Sequence, residues 1–415
     1  MEPTEWLNAG DTAWVLISAA LVMIMTPALG FFYSGLVRRE NVLTTIMHSF
    51  TVLAIVSVQW VLWGYSLAFS GDIGGIIGNL DWFGFNGVTA NQESPIAPGI
   101  PDSLWAVYQG MFAAITTALI TGAFAERLKF KALIIFTLVW STFVYSPICH
   151  WVWASDGWLY TFNGGALDFA GGTVVHISSG IAAVIAAVLV GHRVSFGKEE
   201  AKPHNLTYTV LGAAFLWFGW FGFNSGSAWA ANGIAANAFV VTNVAAAMGA
   251  ISWVAAQWLR EGKPSVLAGA AGAVAGLVGI TPAAGFVSPT SAIIIGFGAG
   301  VLCYFGLGFV KNILKVDDAL DVFAVHGIGG IWGALATGLF ADAAINGRDG
   351  LFFGNASQLW TQVVAIASVA AFSGVATFVI LKAIDLTIGL RVTEPEESVG
   401  LDESVHGEFG YNLAD

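Results

Sequence analysis

The sequence predicts an all-α polytopic membrane protein, and three observations support that fold class. Of its 415 residues, 56% are apolar and only 10% are charged, against roughly 25% charged in a typical soluble protein. Apolar stretches long enough to cross a bilayer, which takes about 20 residues, recur along the whole chain. The basic residues collect in alternate loops between these stretches. This composition excludes a soluble globular enzyme, a disordered chain and a nucleic-acid binder with a basic face.

Eleven apolar stretches are predicted to form spanning helices. The first five are separated by short basic segments and by one long polar loop, 70–102; they are 12–37, 42–69, 103–124, 132–149 and 172–191. The other six follow a basic segment near residue 200; they are 206–223, 233–259, 265–284, 289–309, 322–341 and 359–390. The glycines and prolines within several stretches are common in membrane helices.

The basic residues predict the orientation of these helices. An odd number of spans places the two termini on opposite sides. Every Lys and Arg except Arg348 lies on the side of the C-terminus, mostly in loops: Arg38, Arg39, Arg127, Lys129, Lys131, Arg193, Lys198, Lys202, Arg260, Lys263, Lys311, Lys315, Lys382 and Arg391. The positive-inside rule makes that side cytoplasmic, so we expect the N-terminus outside and the C-terminus inside. The charged residues predicted on the other side are almost all acidic. The negative potential they create argues against an anion carrier.

The sequence divides into a membrane domain, 1–390, and a polar tail, 391–415. The tail holds seven acidic residues and one basic residue. It is either disordered or docked against the basic cytoplasmic loops. Both cysteines, Cys149 and Cys303, lie in apolar stretches and are expected to be packing residues.

Two histidines within predicted spans mark a functional site, because ionisable residues inside a membrane are costly. His176 follows Asp168 by eight residues, which is about 12 Å of helix. His326 follows Asp321, the expected helix cap, by five residues, or about 7–8 Å. The two helices run in opposite directions, so both imidazoles approach the middle of the bilayer. Two isolated packing histidines are the alternative; a metal pair would be under-coordinated.

The spacing of the two histidines also predicts an internal repeat. Each follows a valine and precedes a nearby glycine, and five spans separate the two copies. An odd offset reverses the direction of the second unit, as in transporters built from inverted repeats with a site at their interface. We therefore expect two five-helix repeats, about 12–191 and 206–341, followed by a final long helix, 359–390.

Several long motifs, in order along nearly the whole chain, give a more specific indication. They include FFYSGLVRRENVL, GAFAERLKF, DFAGGTVVHISSGIAA, GWFGFNSGSA, GLVGITPAAGFV and DDALDVFAVHGIGGIWG. With these motifs the sequence resembles the ammonium transporters of the Amt/Mep/Rh family, in particular the prokaryotic Amt branch. The first span departs from the common form, reading TPALGFFYSGL.

The resemblance implies a role for particular residues. His176 and His326 match the twin histidines of the pore. Trp153, Ser227 and Phe112 match the outer site that recruits ammonium, and Phe112 and Phe223 match a stacked gate. Supporting positions are Asp168, Gln109, Trp220 and Thr281. No catalytic residue, cofactor or metal is implied.

The resemblance also implies a mechanism and partners. Ammonium binds outside, loses its proton at or below the gate, and crosses an apolar pore as ammonia. A proton following along the imidazoles would make transport electrogenic, whereas a proton returning outside would make a neutral gas channel. Family members are typically homotrimers in the cell membrane, and many bind a PII-type signalling protein at the cytoplasmic face. The alternatives are an Rh-like neutral gas channel, a low-flux ammonium sensor, and an intramembrane enzyme, for which the sequence holds no recognisable motif.

Overall fold

The computed structural model describes residues 5–198 and 203–411 and shows a mostly helical protein. Lys202 and the last four residues of the tail lie outside the described residues. Ten helices in the described chain are long and apolar enough to cross a membrane, and an eleventh is shorter. In chain order they are α1 (Ala9–Ser34), α2 (Arg39–Phe69), α3 (Asp102–Phe124), α4 (Phe130–Gly164), α5 (Gly172–Val190), α6 (Leu206–Ala228), α7 (Gly233–Glu261), α8 (Val266–Ile280, the shorter one), α9 (Pro289–Ile313), α10 (Phe323–Phe340) and α11 (Ala356–Ile388).

Each predicted stretch coincides with one of these helices, but some boundaries differ. Helix α4 extends past the predicted end at residue 149: its continuous part runs to Trp153, and short helical turns beyond a break at Ala154 reach Gly164. The segment HWVW keeps the helix apolar up to Trp153, and the backbone turns extended at Ala154. Helix α8 ends early because residues 281–286 form tight turns in place of a further helical turn.

Helices α5 and α10 carry the two histidines in equivalent local structures. Each begins with a π-helical segment, Gly172–Ile177 in α5 and Phe323–Ile328 in α10. Such widened turns are rare and occur often at functional sites. The two helices meet closely here, because a Cβ at Gly180 would collide with the backbone of Gly327, and glycine removes that clash.

The long loop between α2 and α3 folds over one end of the bundle. Strands β1 (Asp72–Ile73) and β2 (Ile77–Gly78) pair antiparallel within it. The ring of His150, at the end of α4, bonds the Ala68 carbonyl at 2.9 Å and a carboxylate oxygen of Asp72 at 3.1 Å. His150 therefore holds this loop in place.

The tail docks against the opposite end of the bundle throughout its described part. A short helix, α12 (Glu394–Val399), begins with a capping box formed by Thr393 and Glu396. Beyond it, Asp402 accepts the N–H groups of Leu43 and Thr44 at 3.0 and 2.7 Å. This carboxylate thereby satisfies donors in the first turn of α2, where the helix dipole favours negative charge.

A buried ion network joins the loops that follow α3, α5 and α9. Arg193 bonds Glu126 at 2.8 Å and Asp317 at 2.7 Å. Despite burial, this guanidinium lowers the pKa of both carboxyl groups. Asp318 has no such partner, and burial next to Asp321 raises its pKa to about 7.

The expectation that Asp321 caps α10 is wrong. Asp318 accepts the N–H of Phe323 at 2.7 Å, whereas Asp321 pairs with Lys311. The chain turns sharply at Asp321, with φ at +62°. That conformation points its carboxylate away from the start of the helix and towards the lysine of α9.

Candidate functional site

A cavity of about 560 Å³ opens at the end of the bundle that carries the long loop; it is called the wide cavity below. Helices α3, α4 and α6 and the segment before α5 supply its walls. Of the residues singled out in the sequence, it is lined by Gln109, Phe112, Trp153, Asp168 and Ser227. The structure thus brings together, from three separate helices, all three residues expected to recruit ammonium.

Trp153 is fixed in the wall of the wide cavity by two contacts. Its indole Nε1 donates to the carbonyl of Asp168 at 2.9 Å. Its ring meets Phe112 edge to face, with centroids 5.8 Å apart and planes at 90°. With the indole N–H occupied by the protein, the aromatic face is the part of Trp153 available to a cation.

Ser227 lies in a small hydrogen-bond network. Its hydroxyl donates to the Phe223 carbonyl at 2.8 Å and lies 3.2 Å from the hydroxyl of Tyr108. Tyr108 in turn reaches the Gly222 carbonyl at 3.0 Å. Because both hydroxyl protons point to backbone oxygens, the Ser227 oxygen keeps acceptor capacity for a donor in the cavity. Sequence reasoning missed Tyr108, which no motif distinguished from other aromatic residues.

Phe112 and Phe223 close the floor of the wide cavity. Their ring centroids are 4.4 Å apart at an interplanar angle of 40°, and both residues are almost completely buried. The two rings, on separate helices, are thus in tilted contact. Two side chains therefore separate the wide cavity from the space beneath it.

Asp168 holds the start of α5. Its carboxylate accepts backbone N–H groups of Gly171, Gly172, Thr173 and Val174 at 2.5 to 3.1 Å, and also the Thr173 hydroxyl. These bonds satisfy the orphan donors of the first turn and place a negative charge at the positive end of the helix dipole. The carboxylate is thus engaged with the protein, while its carbonyl orients Trp153.

Beneath the two phenylalanines lies a second space of about 30 Å³, called the narrow cavity below. That volume suits one water-sized molecule at a time. Nearly all of its walls are apolar; they comprise Met25, Leu29, Phe32, Tyr33, Ile115, Leu119, Leu216, Trp220, Phe223, Ala271, Val274, Leu320, Val322, Val325 and His326. Stripping water from an ion in such surroundings is costly, so the narrow cavity favours a small neutral molecule.

The two histidines meet beside the narrow cavity. Their Nδ1 atoms are 3.2 Å apart, and their rings lie at 30° with centroids 5.2 Å apart. On its other side, the ring of His176 stacks on Trp220, with centroids 5.6 Å apart. The two imidazoles, which were predicted to approach the middle of the bilayer from opposite ends, are thus in direct contact.

Thr281 determines how protons are placed on this pair. Its hydroxyl donates to the Leu277 carbonyl at 2.7 Å, so its oxygen acts as an acceptor. It accepts from Trp220 Nε1 at 2.9 Å and from His176 Nε2 at 3.3 Å. Neutral His176 therefore carries its proton on Nε2 and presents a bare Nδ1 to the Nδ1–H of His326.

Other candidates have simpler contacts. The Ser178 and Ser179 hydroxyls, which follow His176, donate to carbonyls of their own helix at 2.6 Å. Gln109 lines the wide cavity, and its Oε1 is buried with no hydrogen-bond partner in the protein. Within residues 5–198 and 203–411, no three His, Cys, Asp or Glu side chains gather as a metal site would require.

Comparison with known proteins gives a consistent result. The model of the Ammonium Transporter Family matches residues 13–411. An ammonium transporter of Bacillus subtilis is 50% identical over 98% of this chain and 99% of its own length. The ammonium transporter Amt1 of Archaeoglobus fulgidus is 48% identical over 98% of this chain and its own full length.

Solved structures extend the similarity to the fold. The crystal structure of Candida albicans Mep2 superposes with a TM-score of 0.88 at 39% identity, covering 94% of this chain and 88% of that one. A sensor Amt protein gives a TM-score of 0.88 at 29% identity, covering 95% and 98%.

Proposed function

This chain belongs to the ammonium transporter family, and from that premise we propose that it binds ammonium in the wide cavity and passes ammonia through the narrow one. It is an ammonium transporter and a multi-pass protein of the plasma membrane. The single observation that carries the proposed mechanism is the change of chemistry across the Phe112–Phe223 pair: cation-binding groups lie above it and apolar walls lie below.

Recruitment is assigned to Trp153, Ser227 and Phe112. The rings of Trp153 and Phe112 line the wide cavity and attract a cation that is losing its water, by roughly 0.5–2 kcal/mol each. The Ser227 oxygen accepts a hydrogen bond from ammonium, which a potassium ion cannot donate. Gln109 lines the same cavity. This set distinguishes ammonium from an alkali cation of similar size.

Phe112 and Phe223 form the gate, and ammonium loses its proton at or below it. A charged molecule would have to be dehydrated in the narrow cavity, whereas ammonia enters at much lower cost. Asp168 supports this step by fixing the Trp153 wall and adding negative potential beneath the wide cavity. Two routes for the released proton stay open: transfer along the imidazoles, or return to the outside.

His176 and His326 line the path of ammonia, with Trp220 and Thr281 holding His176. The arrangement gives the pair one internal N–H···N bond and leaves Nε2 of His326 as an acceptor. A proton reaching this acceptor and leaving through the pair would make transport electrogenic. If protons do not follow, the same geometry conducts neutral ammonia as an Rh-like gas channel would. Low-flux sensing is the other alternative. We rank the neutral gas channel and the sensor below transport because Trp153 and Ser227 line the same cavity.

The topology proposed for the membrane has eleven spans, with the N-terminus outside and the C-terminus inside. Helix α8 is the shortest of the eleven proposed spans, and the turns that follow it complete the crossing. The repeats are about 12–191 and 206–341, followed by the helix 359–390 and the cytoplasmic tail 391–415. The matching π-helical segments of α5 and α10 support this division.

Assembly and partners follow from family resemblance. We propose a homotrimer with one pore in each subunit and a PII-type signalling protein at the cytoplasmic face. The basic loops around Arg38, Arg127 and Arg193 and the docked tail form that face. The protein transports its substrate and catalyses no covalent change beyond moving a proton.

The test measures currents from purified protein in liposomes on a solid-supported membrane. Ammonium and potassium pulses are compared, with a His176→Ala variant alongside. A current for ammonium alone, lost in the variant, supports electrogenic transport through the histidines. No current but an alkaline shift under an ammonia gradient supports the neutral channel. No response in either assay contradicts the proposed mechanism and favours the sensor.

A further inference from the structure

A completely buried glutamine on the last membrane helix holds the segment that leads into the recruitment site. Gln362, on α11, is 0% exposed. Its Oε1 accepts the N–H of Leu167 at 2.7 Å, and its Nε2 donates to the Leu167 carbonyl at 2.8 Å. The same Nε2 donates to the carbonyl of Ala334, on α10, at 3.1 Å. One side chain thus clamps both backbone groups of a single residue and ties it to the helix of His326.

The clamped residue immediately precedes Asp168, whose carbonyl receives the indole N–H of Trp153. A neighbour one turn away strengthens the arrangement: Gln358 Nε2 donates to the Gly165 carbonyl at 3.1 Å and to Gln362 Oε1 at 3.3 Å. The connection therefore runs from Gln362 through the backbone of residues 167–168 to the ring of Trp153.

We propose that Gln362 is a positioning residue for ammonium binding, which sets the orientation of Trp153 through the backbone of Leu167 and Asp168. The inference rests on the proposed recruitment role of Trp153. An amide is the side chain that fits, because this completely buried position needs one acceptor and two donated bonds. A hydrocarbon here would leave the N–H and the carbonyl of Leu167 unsatisfied, and the segment would shift to satisfy them.

The test compares half-saturating ammonium concentrations and maximal rates in proteoliposomes, with protein-free liposomes subtracted. Gln362→Met keeps the length of the side chain and removes its hydrogen bonds. We expect the half-saturating concentration to rise about 2- to 30-fold, the range for weakening a cation–π contact, with the maximal rate changed much less. A residue needed only for folding would lower the amount of active protein and leave the half-saturating concentration unchanged.

The matched control lies on the same helix. Thr377 is also buried and accepts the indole N–H of Trp140 at 2.9 Å, about 22 Å further along α11. Thr377→Val removes that buried bond and should leave the half-saturating concentration as in the wild type. An equal rise in this variant would overturn the proposal.

A double-mutant cycle connects Gln362 to Trp153 directly. If Gln362 acts through that ring, adding Gln362→Met to Trp153→Leu raises the half-saturating concentration no further. Full additivity, or an unchanged value in the single Gln362→Met variant, would overturn the inference. An unchanged value in Trp153→Leu alone would instead contradict the recruitment site, so the two failures are distinguishable.

A second variant covers the case in which Gln362→Met does not fold. Gln362→Glu has the same size; a carboxyl buried without a cation is protonated, so it keeps the acceptor for Leu167 and donates one O–H bond in place of two N–H bonds. We expect a smaller rise in the half-saturating concentration than with methionine. A wild-type value in this variant would also overturn the proposal.

Discussion

The Nδ1 atoms of His176 and His326 lie 3.2 Å apart, and a threonine hydroxyl decides which of them carries the proton. Because Thr281 accepts from Nε2 of His176, the inner nitrogen of that ring is bare and must accept from its partner. The pair is thus ordered by a residue outside it, in the way that a second group fixes the tautomer of a functional histidine.

Removing the Thr281 hydroxyl should disturb the hydrogen bond between His176 and His326 while both histidines stay in place. Thr281→Val keeps the shape but leaves the N–H groups of Trp220 and His176 without an acceptor. Each unsatisfied buried donor costs about 1–3 kcal/mol, so we expect ammonium transport to fall about tenfold or more. Thr337→Val is the control, since that buried hydroxyl only returns to the Gly333 carbonyl at 2.9 Å within α10. Equal losses in the two variants would refute a special role for Thr281.

Replacing the aromatic wall should weaken binding more than turnover. Trp153→Leu removes a cation-binding face, and we expect the half-saturating ammonium concentration to rise about 2- to 30-fold. Concentration dependence of transport in liposomes measures this. Trp258→Leu removes an indole that is 58% exposed on α7 and should have no such effect. A higher maximal rate with unchanged half-saturation would show that Trp153 is part of the barrier instead.

Loosening the tail should be detectable before any effect on transport. Glu397 bonds Arg391 at 2.6 Å and accepts the N–H of Val194, also at 2.6 Å. Glu397→Gln weakens both bonds by removing the charge, by about 1–3 kcal/mol together. Limited proteolysis should then cut the tail faster. The exposed Glu403→Gln variant is the control, and equal cleavage of the two variants would contradict a specific docking role for Glu397.

The tail's effect on function is tested by deleting residues 392–415. Tail residues cover the loops that join α1 to α2 and α5 to α6. We expect this truncation to change the transport rate or its regulation, because those loops lose the groups that hold them. Unchanged rate and regulation would rule out control by the docked tail.

Asp318 predicts a pH dependence of stability. Its pKa is raised by burial from 3.8 to about 7, so the folded protein binds this proton more tightly than the unfolded chain. Its contribution is fully present below about pH 3.8 and is lost as pH rises through about 7. Asp318→Asn should therefore flatten the fall in thermal stability between pH 4 and pH 8. An unchanged slope in that variant would contradict this assignment.

Sequence patterns predicted the helices and the meeting of the two histidines, because apolar length and helical rise are local properties. They failed where the answer depended on how separate segments pack. Asp321 had the expected position for a cap, yet the left-handed turn at that residue gives the role to Asp318. The end of α4 was predicted too early for a simpler reason. Apolar aromatic residues continue past residue 149, up to Trp153.

Other site residues carried no signal before folding. Tyr108 and Gln362 become important only through partners 114 and 195 positions away in the chain. A polar residue in an apolar helix could have drawn attention to Gln362, since such residues seldom face lipid. Its partners, however, are backbone groups, and no side-chain pattern reveals which backbone groups an amide will reach.

The floor of the wide cavity has a consequence for the kinetics of permeation. The barrier above the histidines consists of two phenyl rings in contact, one on α3 and one on α6. Such a barrier yields when side chains change rotamer, so its reaction coordinate is a pair of χ angles and not the displacement of one helical bundle against another. Cross-links that immobilise the helices should therefore leave conduction intact, and we expect the proposed gate to limit throughput by how often the two rings fluctuate apart.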